Sequence, residues 1–408
     1  TTGAEATYRA KTYDGFTFDD TLTEPAAEER IIAGDGSTVI NLYYTRNTYT
    51  VTYEDGVDSE TIDVPTDSTQ YRFGAEVSAI FTGVGSREAY MFAGWSDGTD
   101  TYTSGGTTTF EMPASNVTLT AQWVDTYATV GGVNYVDKDS TVAAITSATG
   151  TVIVTLYKGA TASDFGNAET SDSIAYAIKN TSASSVRLTV DVSENISLTD
   201  SQSVNMFKDC EKLTYADLRG LNTENVTDMQ YMFSGCSALT YLDLSGFNTS
   251  NVETMNYMFS GCSVISSLDL SSFNTNCLER MYYMFDGCSS LSSVDLSSFN
   301  TEGVTTMGYL FRNCSNLTIL DLSSFSTPET RNMAYMFGYC DKLETIYVSE
   351  TFVTTTIGTA TNASKNLFAG CSALKGGAGT EFSTSHIDYD YAHIDGGTDN
   401  PGYFTSAP

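Results

Sequence analysis

The sequence predicts an α/β solenoid, a parallel ladder of strands with short helices, preceded by one or two small β-rich modules. Three observations predict it. Six cysteines recur at a fixed step of 26 residues, two apolar periodicities alternate inside each step, and the first third carries strand-like alternation punctuated by Gly and Asp.

At 408 residues the chain exceeds one ordinary core unless a repeat array is present. Hydrophobic residues make up 41%, enough to fold. Fifty Asp and Glu against 19 Lys and Arg leave a net charge of -31, which resists condensation on phosphate or an anionic membrane and disfavours nucleic acid as a partner. Tyr numbers 26, and Ser and Thr crowd the chain, a composition typical of β-rich extracellular modules. No stretch reaches ~18 consecutive apolar residues, so no membrane insertion is expected of this chain. It opens on Thr1-Thr2-Gly3, and the expectation is a piece of a longer protein whose targeting and anchoring segments lie outside it.

In the first third, Tyr49-Thr-Val-Thr-Tyr53 and Asn116-Val-Thr-Leu-Thr-Ala-Gln-Trp123 alternate like strands, with Phe92-Ala-Gly-Trp95 and Thr107 to Pro113 between them. Residues 49–124 form one β module on this reading. Residues 1–48 read as a partial module of related type. Trp95 and Trp123 are expected in the core rather than on a sugar-stacking platform.

The repeat is carried by Cys210, Cys236, Cys262, Cys288, Cys314 and Cys340. Phe207, Phe233, Phe259, Phe285, Phe311 and Phe337 share its phase, as do Met229, Met255, Met281, Met307 and Met333. In each unit a stretch such as Leu239 to Ser245 alternates apolar and polar residues, the pattern of a short strand. Val252, Met255, Met258, Phe259 and Cys262 then fall three or four apart, which predicts one face of a short helix that Gly261 ends. Such a unit buries its apolar face only by stacking on its neighbours. About seven stacked strands, from Asp191-Val192 to Tyr347-Val348, give ~30 Å of ladder. The array occupies 125–408, with an N-terminal cap over 125–185 and a C-terminal cap over 349–408. The cap at the start reads as two helix-then-strand units. In the last coil, Phe368 and Cys371 follow Phe337 and Cys340 by 31 residues, which marks a five-residue insertion.

The motif Asn-Val-x-x-Met-x-Tyr-Met-Phe-x-Gly-Cys-Ser-x-Leu, followed by Leu-Asp-Leu-Ser-Ser-Phe-Asn-Thr, resembles the 26-residue repeat of BspA-like bacterial surface proteins over Val186 to Cys371. The Phe-x-Gly-Trp module resembles an internalin-type B repeat. These resemblances imply a leucine-rich-repeat-like fold behind β-grasp-like modules, display on the cell surface outside the cell, and adhesion to host or neighbouring-cell components. They imply no enzymatic residues.

Two columns are candidate partner-binding surfaces. Asp217, Asp243, Asp269, Asp295 and Asp321, with Asp191 before them, project from one face of the sheet, beside Tyr215 and Tyr241. Like charges ~5 Å apart repel by roughly 1 kcal/mol in water-like surroundings. Hydrogen bonds from neighbouring Ser and Thr, bound cations or a basic partner would offset this. Tyr231, Tyr257, Tyr283, Tyr309 and Tyr335 form a second column, which either stacks to close the outer wall or meets a partner. The cysteines read as buried reduced thiols, Cys277 apart, which is expected to be exposed. His386 and His393 lack zinc-site spacing, and the acidic run from Asp388 fails as a calcium loop because His393 stands where Gly is needed. The sequence therefore predicts no enzyme, no cofactor and no metal. The reading favours a monomeric surface adhesin that binds a host or bacterial surface protein, with the β modules as a stalk. A glycan-binding module and a structural spacer are the alternatives.

Overall fold

The computed structural model describes all residues except 1–2, 26–31, 59, 158, 192–194, 358–364 and 408. Two compact units divide the chain, Thr1–Asp125 and Thr126–Pro408. Val192 of the expected strand, and the segment 358–364 where the last coil lengthens, lie outside the described residues.

In the first unit, Phe16–Glu24 pairs antiparallel with Asn41–Arg46. A four-stranded mixed sheet follows, in the order Val51–Glu54, Val117–Asp125, Tyr90–Ser96, Thr101–Tyr102, with only the first pair parallel. Its core gathers Val51, Tyr53, Val77, Trp95, Met112 and Leu119. Trp95 is fully buried and donates its indole N–H to the Ile80 carbonyl at 2.8 Å. Trp123 is half-buried, packs on Phe92 at 5.7 Å, and donates to the Asp55 carbonyl at 2.7 Å. Both indoles are thus tied into the module. Gly94 of the Phe-x-Gly-Trp motif sits at φ +138°, where a Cβ would lie 2.3 Å from the Tyr102 carbonyl oxygen, so only Gly lets the two strands close.

The second unit opens with a six-stranded sheet in the order Val133–Tyr135, Ala128–Val130, Thr151–Leu156, Ser185–Val190, Leu213–Asp217, Tyr241–Asp243. Its first two pairings are antiparallel and the others parallel. The α-helices Lys138–Ser147, Ala162–Phe165, Ile174–Asn180 and Asp200–Ser203 all precede Cys210, the first of the evenly spaced cysteines. Asp137 caps the first by accepting from the Ser140 amide at 2.8 Å.

The expected α/β solenoid is contradicted. Helix amounts to only 8% of the chain, the sheets are small, and no solenoid sheet runs through the units, which are joined by short parallel pairings and by isolated parallel bridges from Asp228 through Thr254, Arg280 and Thr306 to Asn332. After Tyr241–Asp243 the pairing breaks into Ser267–Leu268 with Ser293–Val294, then Ile319–Leu322 with Thr345–Val348 and Thr405–Ser406. The break falls where Ser266-Ser267 and Ser292-Ser293 replace the Thr-Tyr and Thr-Ile pairs of other units. Serine packs poorly on a pleated surface, whereas β-branched and aromatic residues pack well.

The helix predicted in each unit is absent for a backbone reason. Tyr231, Tyr257, Tyr283, Tyr309 and Tyr335 all have φ between +50° and +60°, and Gly235, Gly261, Gly287, Asn313 and Tyr339 are again left-handed four residues on. Two left-handed residues per unit end any α-helix. The amides divide their bonds accordingly. Those of Met255, Tyr257, Phe259 and Gly261 donate to the next unit, to Arg280, Tyr282, Met284 and Asp286, while Met258, Ser260 and Cys262 donate three residues back. This chain of tight turns reproduces the three-four apolar spacing without a helix.

Every Cys, Phe and Met column residue named above is buried, in one core that runs from Tyr127 to Phe404. The Phe rings stack at 5.3–6.3 Å from unit to unit. Each such side chain contributes about 1.5–3 kcal/mol by leaving water. Seven thiols are free and buried, and those of Cys236 to Cys371 donate to the Phe carbonyl one unit back at 3.0–3.2 Å. Burial pushes their pKa values up. Cys277 alone is exposed. Buried Thr223, Thr249, Thr275 and Thr301 fasten the opposite corner, each hydroxyl donating to the following unit's carbonyl and accepting from its amide.

Candidate recognition site

The strands turn the Asp column away from the core because Leu242 and Leu244 on either side of Asp243 turn inward, yet Asp217 is buried and Asp243 half-buried, and only Asp269, Asp295 and Asp321 are exposed. Asp217 and Asp243 are paired in register, while Asp321 faces Tyr347 in the last sheet. Asp269 and Asp295 lie one residue beyond their short strands and are exposed, as Asp321 is.

Local partners satisfy each carboxylate. Asp243 accepts from the Ser245 amide and hydroxyl at 3.0 and 2.7 Å, and Asp269 from those of Ser271 at 3.0 and 2.6 Å. Asp295 and Asp321 accept from the amides of Ser297 and Ser323, each at 2.9 Å. The Ser271 hydroxyl and amide hold Asp269 below the ordinary carboxylate range, and the Ser297 amide and hydroxyl do the same for Asp295 against the repulsion of Asp269. Hydrogen bonds from the Ser column thus offset the repulsion along the row.

Asp217 differs because Arg219 stands where the other units have Ser. The guanidinium grips Asp217 with Nε and Nη2 at 2.9 and 2.7 Å and reaches Asp243 Oδ2 at 3.4 Å. This bond, with the charge behind it, holds the Asp217 carboxyl down. Tyr215 and Tyr241 stack beside it at 4.6 Å and 8°, and Arg187 covers Tyr215 at 4.1 Å. Tyr241 remains 46% exposed. A shallow recess lined by Tyr241, Asp243, Ser245, Asp269, Ser271 and Ser272 continues the face.

The second column, Tyr231, Tyr257, Tyr283, Tyr309 and Tyr335, is half-buried and stacks ring on ring at 4.2–5.1 Å. Tyr282 meets Tyr257, Tyr283 and Tyr309 edge-on. Arg312 lies about 5 Å from the rings of Tyr283 and Tyr309 while it pairs with Asp286 at 2.7 and 2.8 Å. Asn205 and Asn366 hold the same left-handed position at the two ends of the column. The columns are separate surfaces, and the sequence alone missed Arg187, Arg219, Tyr282 and Arg312. The signal that could have found Arg219 is the one Arg in a column of Ser. Among the described residues no group of three or more His, Cys, Asp or Glu could hold a metal ion. His386 stacks on Tyr391 at 4.2 Å, and His393 Nδ1 lies 3.0 Å from the Ile394 carbonyl.

Residues 49–126 match the family described as Divergent InlB B-repeat domain. Residues 201–295 and 268–378 match the family described as Mycoplasma protein of unknown function, DUF285. No curated protein and no solved structure matches the chain. Both families are typical of bacterial surface proteins, and the two matches place this chain among them. No described helix is long and apolar enough to cross a membrane.

Proposed function

We propose that this is a non-catalytic adhesion protein whose repeat part recognises a protein on a host or neighbouring cell through its Asp face, with the β modules serving as a stalk. The observation that supports this reading is Arg219. Within the chain itself, one guanidinium spans two successive carboxylates of the column. Further along, Asp269, Asp295 and Asp321 keep only Ser partners and stay exposed. A partner that carries Arg or Lys at matching spacing would repeat that contact in trans, steered by the net charge of -31.

No catalytic step is proposed, since the nucleophilic thiols at repeat positions are sealed inside with their pKa values raised. A glycan as ligand is the second reading. It draws support from the stacked Tyr215 and Tyr241 with the exposed edge of Tyr241 beside the acidic recess.

Binding of the chain to a panel of surface proteins and glycans separates the two. The adhesion reading expects saturable protein binding that weakens as salt screens the charges. It also expects at least a tenfold loss in the Asp269→Ser, Asp295→Ser, Asp321→Ser triple variant, about 1.4 kcal/mol. Glycan binding that survives the triple variant and fails in Tyr241→Ala would favour the second reading. Protein binding indifferent to both salt and the triple variant would defeat the first.

A further inference from the structure

The repeat part sorts its oxidisable side chains by exposure. The column Met and Cys residues are fully buried, so small oxidants do not reach them. The tyrosine column is half-buried along its whole length, with neighbouring rings nearly parallel at 4.6, 4.6, 4.2 and 5.1 Å from Tyr231 to Tyr335. Interplanar angles are 12°, 9°, 4° and 17°. At the far end Tyr339 is 51% exposed and lies 6.3 Å from Tyr335, an accessible point of entry. A further parallel tyrosine pair, Tyr215 and Tyr241 at 4.6 Å and 8°, lies on the Asp face, whereas Tyr13 and Tyr44 meet at 84°.

We propose that the column is a site of oxidative cross-linking, at which neighbouring tyrosines couple to dityrosine and covalently staple adjacent repeat units. The oxidant class is hydrogen peroxide acting through a haem peroxidase. Each of two adjacent phenols loses an electron and its phenolic proton, which gives two phenoxyl radicals. Their ortho carbons join, and the ring hydrogens at those carbons move to the oxygens as the rings regain aromaticity. The net loss is two hydrogens per cross-link. Peroxide accepts the two electrons and two protons and leaves as two waters.

Geometry is what favours coupling within the molecule. Two radicals must meet face to face before the carbons bond, and the column holds adjacent rings that way. The rings are already stacked in the resting fold, so the approach needs no rearrangement of the backbone.

The test exposes the whole 408-residue chain to peroxide and a haem peroxidase at low protein concentration, then reads dityrosine fluorescence, intact mass and cross-linked peptides. The proposal expects monomeric product, a mass loss of two hydrogens per cross-link, and peptides joining Tyr257 to Tyr283 and Tyr283 to Tyr309. In Tyr283→Phe, which keeps the ring and the stack, both of these links vanish while the Tyr231 to Tyr257 link persists. Links that fall mainly between molecules would overturn the proposal. So would links that involve Tyr13 as readily as the column, or fluorescence unchanged in Tyr283→Phe.

Discussion

Asp395 fastens the C-terminal end of the repeat part. Its carboxylate accepts from the amides of Ala378, Thr380 and Gly397 at 2.9, 3.0 and 2.9 Å and from the Thr380 hydroxyl at 2.7 Å. Burial alone would raise its pKa, but these donors, led by Thr380, hold the carboxyl well below the ordinary range. A depressed carboxyl stabilises the fold fully above its unfolded pKa of about 3.9 and loses that contribution as pH falls toward the folded value. Asp395→Asn should therefore cost about 2 kcal/mol at neutral pH. The gap from the parent chain should narrow below about pH 4, as read from urea midpoints across pH. A gap that stays constant through that range would show that the charge plays no part. Arg219 shows at the same scale what one departure from a Ser column does, because it brings a guanidinium between two successive carboxylates.

At the scale of the element, the tyrosine turn governs how much the sequence could tell. Val252, Met255, Met258, Phe259 and Cys262 are all buried, so the inward set was legible from spacing alone. The helix was not, because tight three-residue turns place side chains inward at the same intervals. What separates the two is chemistry rather than spacing. Asn205 and Asn366 occupy the Tyr position at the ends, and Gly or Asn stands four residues after Tyr231, Tyr257, Tyr283 and Tyr309, all residues that tolerate positive φ. The Asp column was legible because a strand alternates faces, but its partners were not, since Arg187 and Arg219 sit off the repeat consensus. A substitution pair tests the turn. Tyr257→Asn should keep the backbone and lose only stacking, whereas Tyr257→Val adds a β-branched side chain at φ +58° and should cost about 1–2 kcal/mol more. Equal denaturation midpoints for the two variants would speak against a left-handed turn.

For the molecule as a whole, the units of the repeat part depend on one another. A single core passes through them, and the backbone bonds of each turn are completed by the next unit. Faces built this way carry rows whose spacing is fixed by the stacking, which is what gives the Asp and Tyr columns their regularity. The account therefore stands on in-phase stacking, and removal of one whole repeat tests it most directly. Deleting residues 252–277 brings Leu278 into the place of Val252 and restores every column. The predicted result is a shorter protein with one cooperative unfolding transition and unchanged secondary structure per residue, while deletion of half that length unfolds the repeat part. Equal tolerance of the two deletions, or separate melting of individual repeats, would contradict it.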